Sequence, residues 1–253
     1  MRALSLLSVT SSLVLLAACG GKSGDLPGTD TGTDGGFCPE SEPPACVDQM
    51  ILDLSLHDDK VSRGDVSTSV EGDDFVTLVD ASAGGYQQAS NNAWTYIRFE
   101  DSGATKLEID DESALGSTDW HLAMRRFIVR VNSGDSGPSC VGAAALRSYT
   151  YEELTSVPDG ISFNEDDYYT DDCTIVNDSS GLPGSPQVAM GAWWSYDTCV
   201  ETTGTPFLIQ LDDGRVVKLR IESFYGEDQA DCNENGQGSD ASGNMILRWT
   251  FME

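Results

Sequence analysis

Histidine is almost missing from this chain: two occur among 253 residues. Basic residues are few as well, with 14 Lys and Arg against 42 Asp and Glu and a formal net charge of −28. Such a chain repels polyanions, which argues against nucleic acid or an anionic lipid surface as a partner. With only His57 and His121 to draw on, a Ser-His-Asp triad has little to be built from. No C-x-x-C or H-x-x-x-H spacing occurs, which argues against zinc. No Gly-rich phosphate loop follows a strand. Carboxylates are so abundant that no glycosidase-type pair can be singled out. The chain thus lacks an enzyme constellation, and it reads as non-catalytic. Helical periodicity is scarce, and no internal repeat is seen.

The one long apolar run is N-terminal and too short to span a bilayer as a permanent helix. It runs from a start carrying Arg2 through Leu13-Val14-Leu15-Leu16-Ala17-Ala18 to Cys19. A charged start, an apolar stretch and a small-residue cleavage site ending on Cys read as a bacterial lipoprotein signal. On that reading residues 1–18 are removed and Cys19 is lipidated, with palmitate among its acyl chains. Gly20, rather than Asp, follows Cys19, which favours the outer membrane of the cell envelope. Residues 19–37 then form a tether of Gly, Thr, Asp and Ser with almost nothing apolar, unable to offset its ordering entropy by burial. Removing 1–18 takes away only one basic residue, so the mature protein stays strongly acidic.

Six further cysteines remain: Cys38, Cys46, Cys140, Cys173, Cys199 and Cys232. An even number in an exported chain predicts disulfides. Six cysteines allow 15 connectivities; nearest-neighbour pairing (38–46, 140–173, 199–232) is the expectation taken here.

Residues 38–253 read as a single, mostly β domain with minor helix. Alternation predicts strands at 51–56, 74–79, 94–99, 127–131 and 245–251. Residues 207–222 predict a hairpin, with Asp213-Gly214 supplying the positive φ angles of a tight primed turn. A short helical piece is expected within Ala143 to Leu154.

Three segments together resemble the HmuY-like family of haem-binding surface lipoproteins. They are the aromatic strand Trp94-Thr95-Tyr96-Ile97-Arg98-Phe99, the stretch from Asp119-Trp120-His121 through Asn132-Ser133-Gly134-Asp135-Ser136-Gly137, and the C-terminal hairpin from Phe207 to Tyr225 with the last strand. The resemblance implies an all-β fold that clamps haem between loops. It also implies an outer-membrane receptor or transporter as partner. This chain departs from the family pattern in two places, with His121 where the family has Asp and Met124 where it has Phe. Both sit in a strand, where packing is the simpler role. The family's iron ligands are His or Met pairs from loops beyond the Asn-Ser-Gly turn, and no His follows that turn here.

Haem iron takes His, Met or, when ferric, a Tyr oxygen. Beyond residue 137 the candidates are Met190, Met245 and the tyrosines Tyr149, Tyr151, Tyr168 and Tyr169. Met190, beside Gly191, Ala192, Trp193 and Trp194, is the one taken as a haem-binding residue, with gap-filling core as its alternative. Met245 and Met252 read as residues of the terminal strand. Asp231, Asn233 and Asn235, followed by Gly236, match the first half of a calcium loop, although Ser242 stands where a bidentate Glu is expected. Two functions follow: a non-catalytic haem or tetrapyrrole carrier, or a surface ligand-binding or adhesion module on the same scaffold. The acidic surface favours the second, because haem carries two propionates. Arg125, Arg126 and Arg130 would offset that repulsion wherever they face the ligand.

Overall fold

Alternating side chains sort the two faces of each strand into different cores, and this protein uses both faces. The computed structural model describes residues 37–38, 42–83, 87, 91–182 and 184–253. The expected signal peptide, Cys19 and nearly all of the tether lie outside them. In chain order the strands are β1 (Val66–Glu71), β2 (Asp74–Asp80), β3 (Thr95–Glu100), β4 (Gly103–Leu107), β5 (Leu122–Arg125), β6 (Ile128–Val131), β7 (Gly142–Ala145), β8 (Trp194–Tyr196), β9 (Val200–Thr202), β10 (Pro206–Gln210), β11 (Val216–Ser223) and β12 (Asn244–Met252). The helices are α1 (Val47–Asp53), α2 (Asp111–Ala114) and α3 (Gln229–Asn235).

The strands build a six-stranded antiparallel sheet in the order β1-β2-β12-β11-β10-β7, a four-stranded sheet β4-β3-β5-β6, and the small hairpin β8-β9. The two larger sheets face each other across the main core. One side contributes Val79, Phe207, Ile209, Val217, Leu219, Leu247 and Trp249; the other contributes Ile97, Phe99, Leu122, Met124, Val129 and Val131. Trp249 ties them together. Its ring lies 4.4 Å from Phe75 and 4.7 Å from Phe99, and its Nε1 donates to Thr77 at 2.8 Å.

The opposite face of the four-stranded sheet carries a second core, in which Tyr96, Ala123 and Trp120 meet α1, α2, Tyr168 and Tyr169. By the same alternation Arg125 and Arg130 fall on this side. Arg130 is fully buried, with its guanidinium 4.4 Å over the Trp94 ring. Arg125 donates to the carbonyls of Leu54 and Ser55, capping the C-terminal end of α1.

The expected strand at 51–56 is instead helix α1 and the turn after it. Met50 and Leu54 are buried and Leu52 is exposed, a spacing of four that only a helix produces. The expected helix within Ala143 to Leu154 is strand β7 followed by turns. Its alanines pair with β10, Ala145 opposite Phe207, and this pairing overrides their helical propensity. The hairpin from β10 to β11 forms as expected, but with a different turn. Gly214 alone has positive φ (+85°), and the Leu211 N–H to Arg215 carbonyl bond at 2.8 Å closes a longer loop.

All six cysteines from Cys38 onward are paired. Cys38 joins Cys140, Cys46 joins Cys173 and Cys199 joins Cys232. Nearest-neighbour pairing holds for the last pair and fails for the other two. Those two run over long separations because the N-terminal segment folds back on the middle of the chain.

Candidate ligand-binding site

The turn between β5 and β6 consists of two residues, Arg126 and Phe127, since Arg125 pairs directly with Ile128. Arg126 has φ +53°, a conformation costly for any residue but glycine. The turn is pinned on both sides. The Arg126 N–H donates to the Ala81 carbonyl at 2.8 Å, and Trp193 Nε1 donates to the Phe127 carbonyl at 3.1 Å. Phe127 also packs on Trp194, with ring centroids 4.7 Å apart.

This turn forms one wall of a cleft of about 400 Å³. The hairpin β8-β9, through Tyr196 and the disulfide-bonded Cys199, forms another. Gln229 fixes the back wall. Its side chain accepts from the N–H groups of Phe224 and Tyr225 and donates to the Val200 carbonyl at 3.0 Å, so α3, the end of β11 and β9 are stapled together. Tyr225 lines the cleft, and its hydroxyl oxygen accepts the Val200 N–H at 3.1 Å. Ser239 and Ser242, from the segment before β12, close the fourth side.

Two features mark this cleft chemically. None of the described residues lining it is Asp or Glu, in a chain that carries 42 of them. It also holds two buried polar atoms without partners, Arg126 Nε and Ser242 Oγ. An orphaned buried donor costs about 1–3 kcal/mol. No carboxylate pairs with Arg126 among the described residues.

The residues expected from the sequence to serve a ligand lie elsewhere. Met190 is fully buried in the main core, before the 3₁₀ turn Gly191–Trp193, and it is not among the described residues that line this cleft. Met124 and Met245 are also core. Tyr151, Tyr168 and Tyr169 spend their hydroxyls on Asp74, Ser136 and Asp53. Tyr149 is exposed. His121 is fully buried with both ring nitrogens engaged, Nδ1 by the Phe99 N–H and Nε2 by Asp212. His57 follows α1 with its Nε2 buried. The described residues therefore do not fit a haem iron held by His or Met; among those lining the cleft, the iron-binding groups are the phenols of Tyr196 and Tyr225.

Asp231, Asn233 and Asn235 lie on α3, not in a calcium loop. A helix turns alternate residues to opposite faces. Asn233 is taken by Thr202 and Gln229, while Asn235 reaches back to Asp231. A second hollow, of about 410 Å³, is lined by Asp135, Glu165, Asp166 and Asp167 among others. No group of three His, Cys, Asp or Glu among the described residues is arranged to hold a metal.

Sequence reasoning misses the cleft because its walls come from separate segments of the chain. Arg126 was visible only as one of three clustered arginines. The signal available was a two-residue gap between apolar strands filled by Arg-Phe instead of a glycine-containing pair.

Among curated proteins none matches this chain. Its fold is loosely similar to that of an HmuY-like, heme-binding protein from Bacteroides vulgatus (16% identity, 70% of this chain and 91% of the other, TM-score 0.42). A similar likeness holds to the apo HmuY analog of Tannerella forsythia (15% identity, 77% of this chain and 100% of the other, TM-score 0.44). A sequence model of the HmuY protein matches residues 90–237, more than half of the chain, from just before β3 to just past α3. The chain belongs to the HmuY family.

Proposed function

We propose that this protein is a lipid-anchored, extracytoplasmic binding protein of the HmuY type, without catalytic activity, which takes a small flat ligand in the cleft between Arg126 and Tyr225. The observation that carries this reading is the cleft's composition. Aromatic faces from Phe127, Tyr196 and Tyr225 surround an unpaired arginine, with no carboxylate among the described lining residues. An apolar pocket with a few convergent polar groups is the ordinary form of a small-molecule site. Three disulfides support a location outside the cytoplasm. No helix among the described residues is long and apolar enough to cross a membrane. The anchor in this reading is lipid on Cys19, on the strength of the apolar run that ends there. A receptor or transporter in the outer membrane would receive the ligand.

Family membership makes haem or another tetrapyrrole the first ligand to try. The test is to titrate haemin and metal-free protoporphyrin IX into the purified protein and follow its tryptophan fluorescence and the ring's absorbance. Saturable equimolar binding, weakened by Phe127→Ala, is the expected result. No saturable binding of either ring would remove tetrapyrroles. The second reading, a binding module for a different ligand, would then stand; the burial of His121 and Met190 favours it.

A further inference from the structure

We infer that the cleft holds its ligand by a carboxylate paired with Arg126, and that the ligand is an aromatic carboxylate bound without any protein–iron bond. This rests on the reading that the cleft is the ligand site. Four of the residues lining it carry hydrogen-bond donors. Arg126 Nε is buried and unpartnered. Ser242 is 6% exposed with its Oγ equally unpartnered. Tyr225 and Ser239 use their hydroxyl oxygens as acceptors, from the Val200 and Ala241 N–H groups, so each keeps its own proton to donate. Nothing lining the cleft among the described residues accepts strongly. Asp240 lies between the two serines in sequence but is exposed and already has a partner.

A protein of net charge −28 that keeps carboxylates out of one cleft and strains its backbone to place an arginine there has built an anion site. One guanidinium balances one negative charge and offers a planar fork, which suits a carboxylate better than a phosphate dianion. Phe127, Tyr196 and Tyr225 add flat apolar surface, and Phe127 and Tyr225 are already locked in place by their other contacts. The ligand's body is therefore aromatic.

The test pairs two probes of the same shape, pyrene-1-carboxylate and the neutral pyrene-1-carboxamide, titrated by fluorescence into the purified protein. The acid should bind about tenfold more tightly than the amide. Arg126→Gln should erase that difference. Ser242→Ala, which alters no hydrogen bond of the protein, should weaken the acid severalfold and leave the amide unchanged. Equal binding of acid and amide, binding of neither, or an undiminished difference in Arg126→Gln would overturn the inference. Protoporphyrin IX, its dimethyl ester and haemin separate this from the tetrapyrrole reading. If the rings fail and the pyrene acid binds through Arg126, the tetrapyrrole reading falls and the carboxylate site stands. If the ester binds as well as the diacid, or haemin far better than the metal-free ring, the carboxylate site falls and tetrapyrrole binding stands.

Discussion

His121 Nε2 lies 3.1 Å from Asp212 Oδ1, joining the residue just before β5 to the loop between β10 and β11 and so linking the two facing sheets. The Phe99 N–H points at the other ring nitrogen, so Nδ1 is the acceptor and Nε2 carries the proton. Burial holds His121 below the ordinary imidazole range, against the pull of Asp212. Burial would raise Asp212, but the bond from His121 and the charge of Arg98 outweigh it and hold that carboxyl below its ordinary value. The imidazole is therefore neutral, structural and closed to iron.

The first prediction concerns pH. A histidine whose folded pKa is depressed binds fewer protons folded than unfolded, so its contribution is complete above about pH 6.5 and is lost as pH falls toward the folded value. His121→Asn keeps an acceptor for Phe99 and cannot titrate. Urea unfolding should show the wild type's advantage over this variant larger at pH 8 than at pH 5. Asp212 does not confuse the comparison, because its window lies below about pH 4. An advantage independent of pH would mean that the folded imidazole is not depressed.

The second concerns the disulfides. Non-reducing digestion and mass spectrometry should recover peptides joining Cys38 to Cys140 and Cys46 to Cys173, and none joining Cys38 to Cys46. Cys46–Cys173 closes a sequence separation of 127 residues and holds the start of α1 against the segment carrying Tyr168 and Tyr169. A loop of that size is worth about 4–5 kcal/mol in the chain-entropy account. Replacing both cysteines with serine should lower stability by that order, read as a shift in the urea midpoint.

Much of the fold was legible because alternation is strong where one face is buried. β11 reads half-buried, buried, half-buried, buried along its whole length, as its sequence demands. Helix α1 resembles a strand when only the residues from Ile51 onward are considered. From Val47 onward, the apolar residues Val47, Met50, Ile51 and Leu54 stand at helical spacing. Disulfide pairing was not legible, since proximity in sequence says nothing about which loops the sheets bring together. The cleft was hidden for the same reason: Arg126, Tyr196, Tyr225 and Ser242 come from four separate segments and meet only after both sheets have packed.

The third prediction concerns Arg130. Its guanidinium lies 4.4 Å from Trp94 and 5.7 Å from Trp120, and it shares its surroundings with the buried carboxyls of Asp111 and Asp166. Burial pushes Asp166 up to about 6, against the bonds it accepts from Ser136, Ala189 and Val131 and the charge of Arg130. Arg130→Met removes the cation that acts on both buried acids and leaves Arg125 beside Asp111. The cost should be about 3–5 kcal/mol at pH 7, and it should shrink on going to pH 5, where Asp166 takes up a proton more readily. A cost that does not vary with pH would show that packing on the tryptophans, not charge, is what Arg130 supplies.

The last prediction decides the role of Met190. A thioether that ligates iron and one that fills a core both matter when removed, but they fail differently. Met190 is fully buried among Trp193, Phe224 and the other residues of the main core. Met190→Ala should therefore cost about 2–5 kcal/mol through the cavity it leaves. Met190→Leu conserves volume and should cost less than about 1.5 kcal/mol. A leucine cannot bind iron. If Met190→Leu folds with near-wild stability and binds haemin with an unchanged absorbance spectrum, Met190 is core. A spectrum lost in the leucine variant, at unchanged stability, would require the 3₁₀ turn at Gly191–Trp193 to open and carry the sulfur out to the ligand.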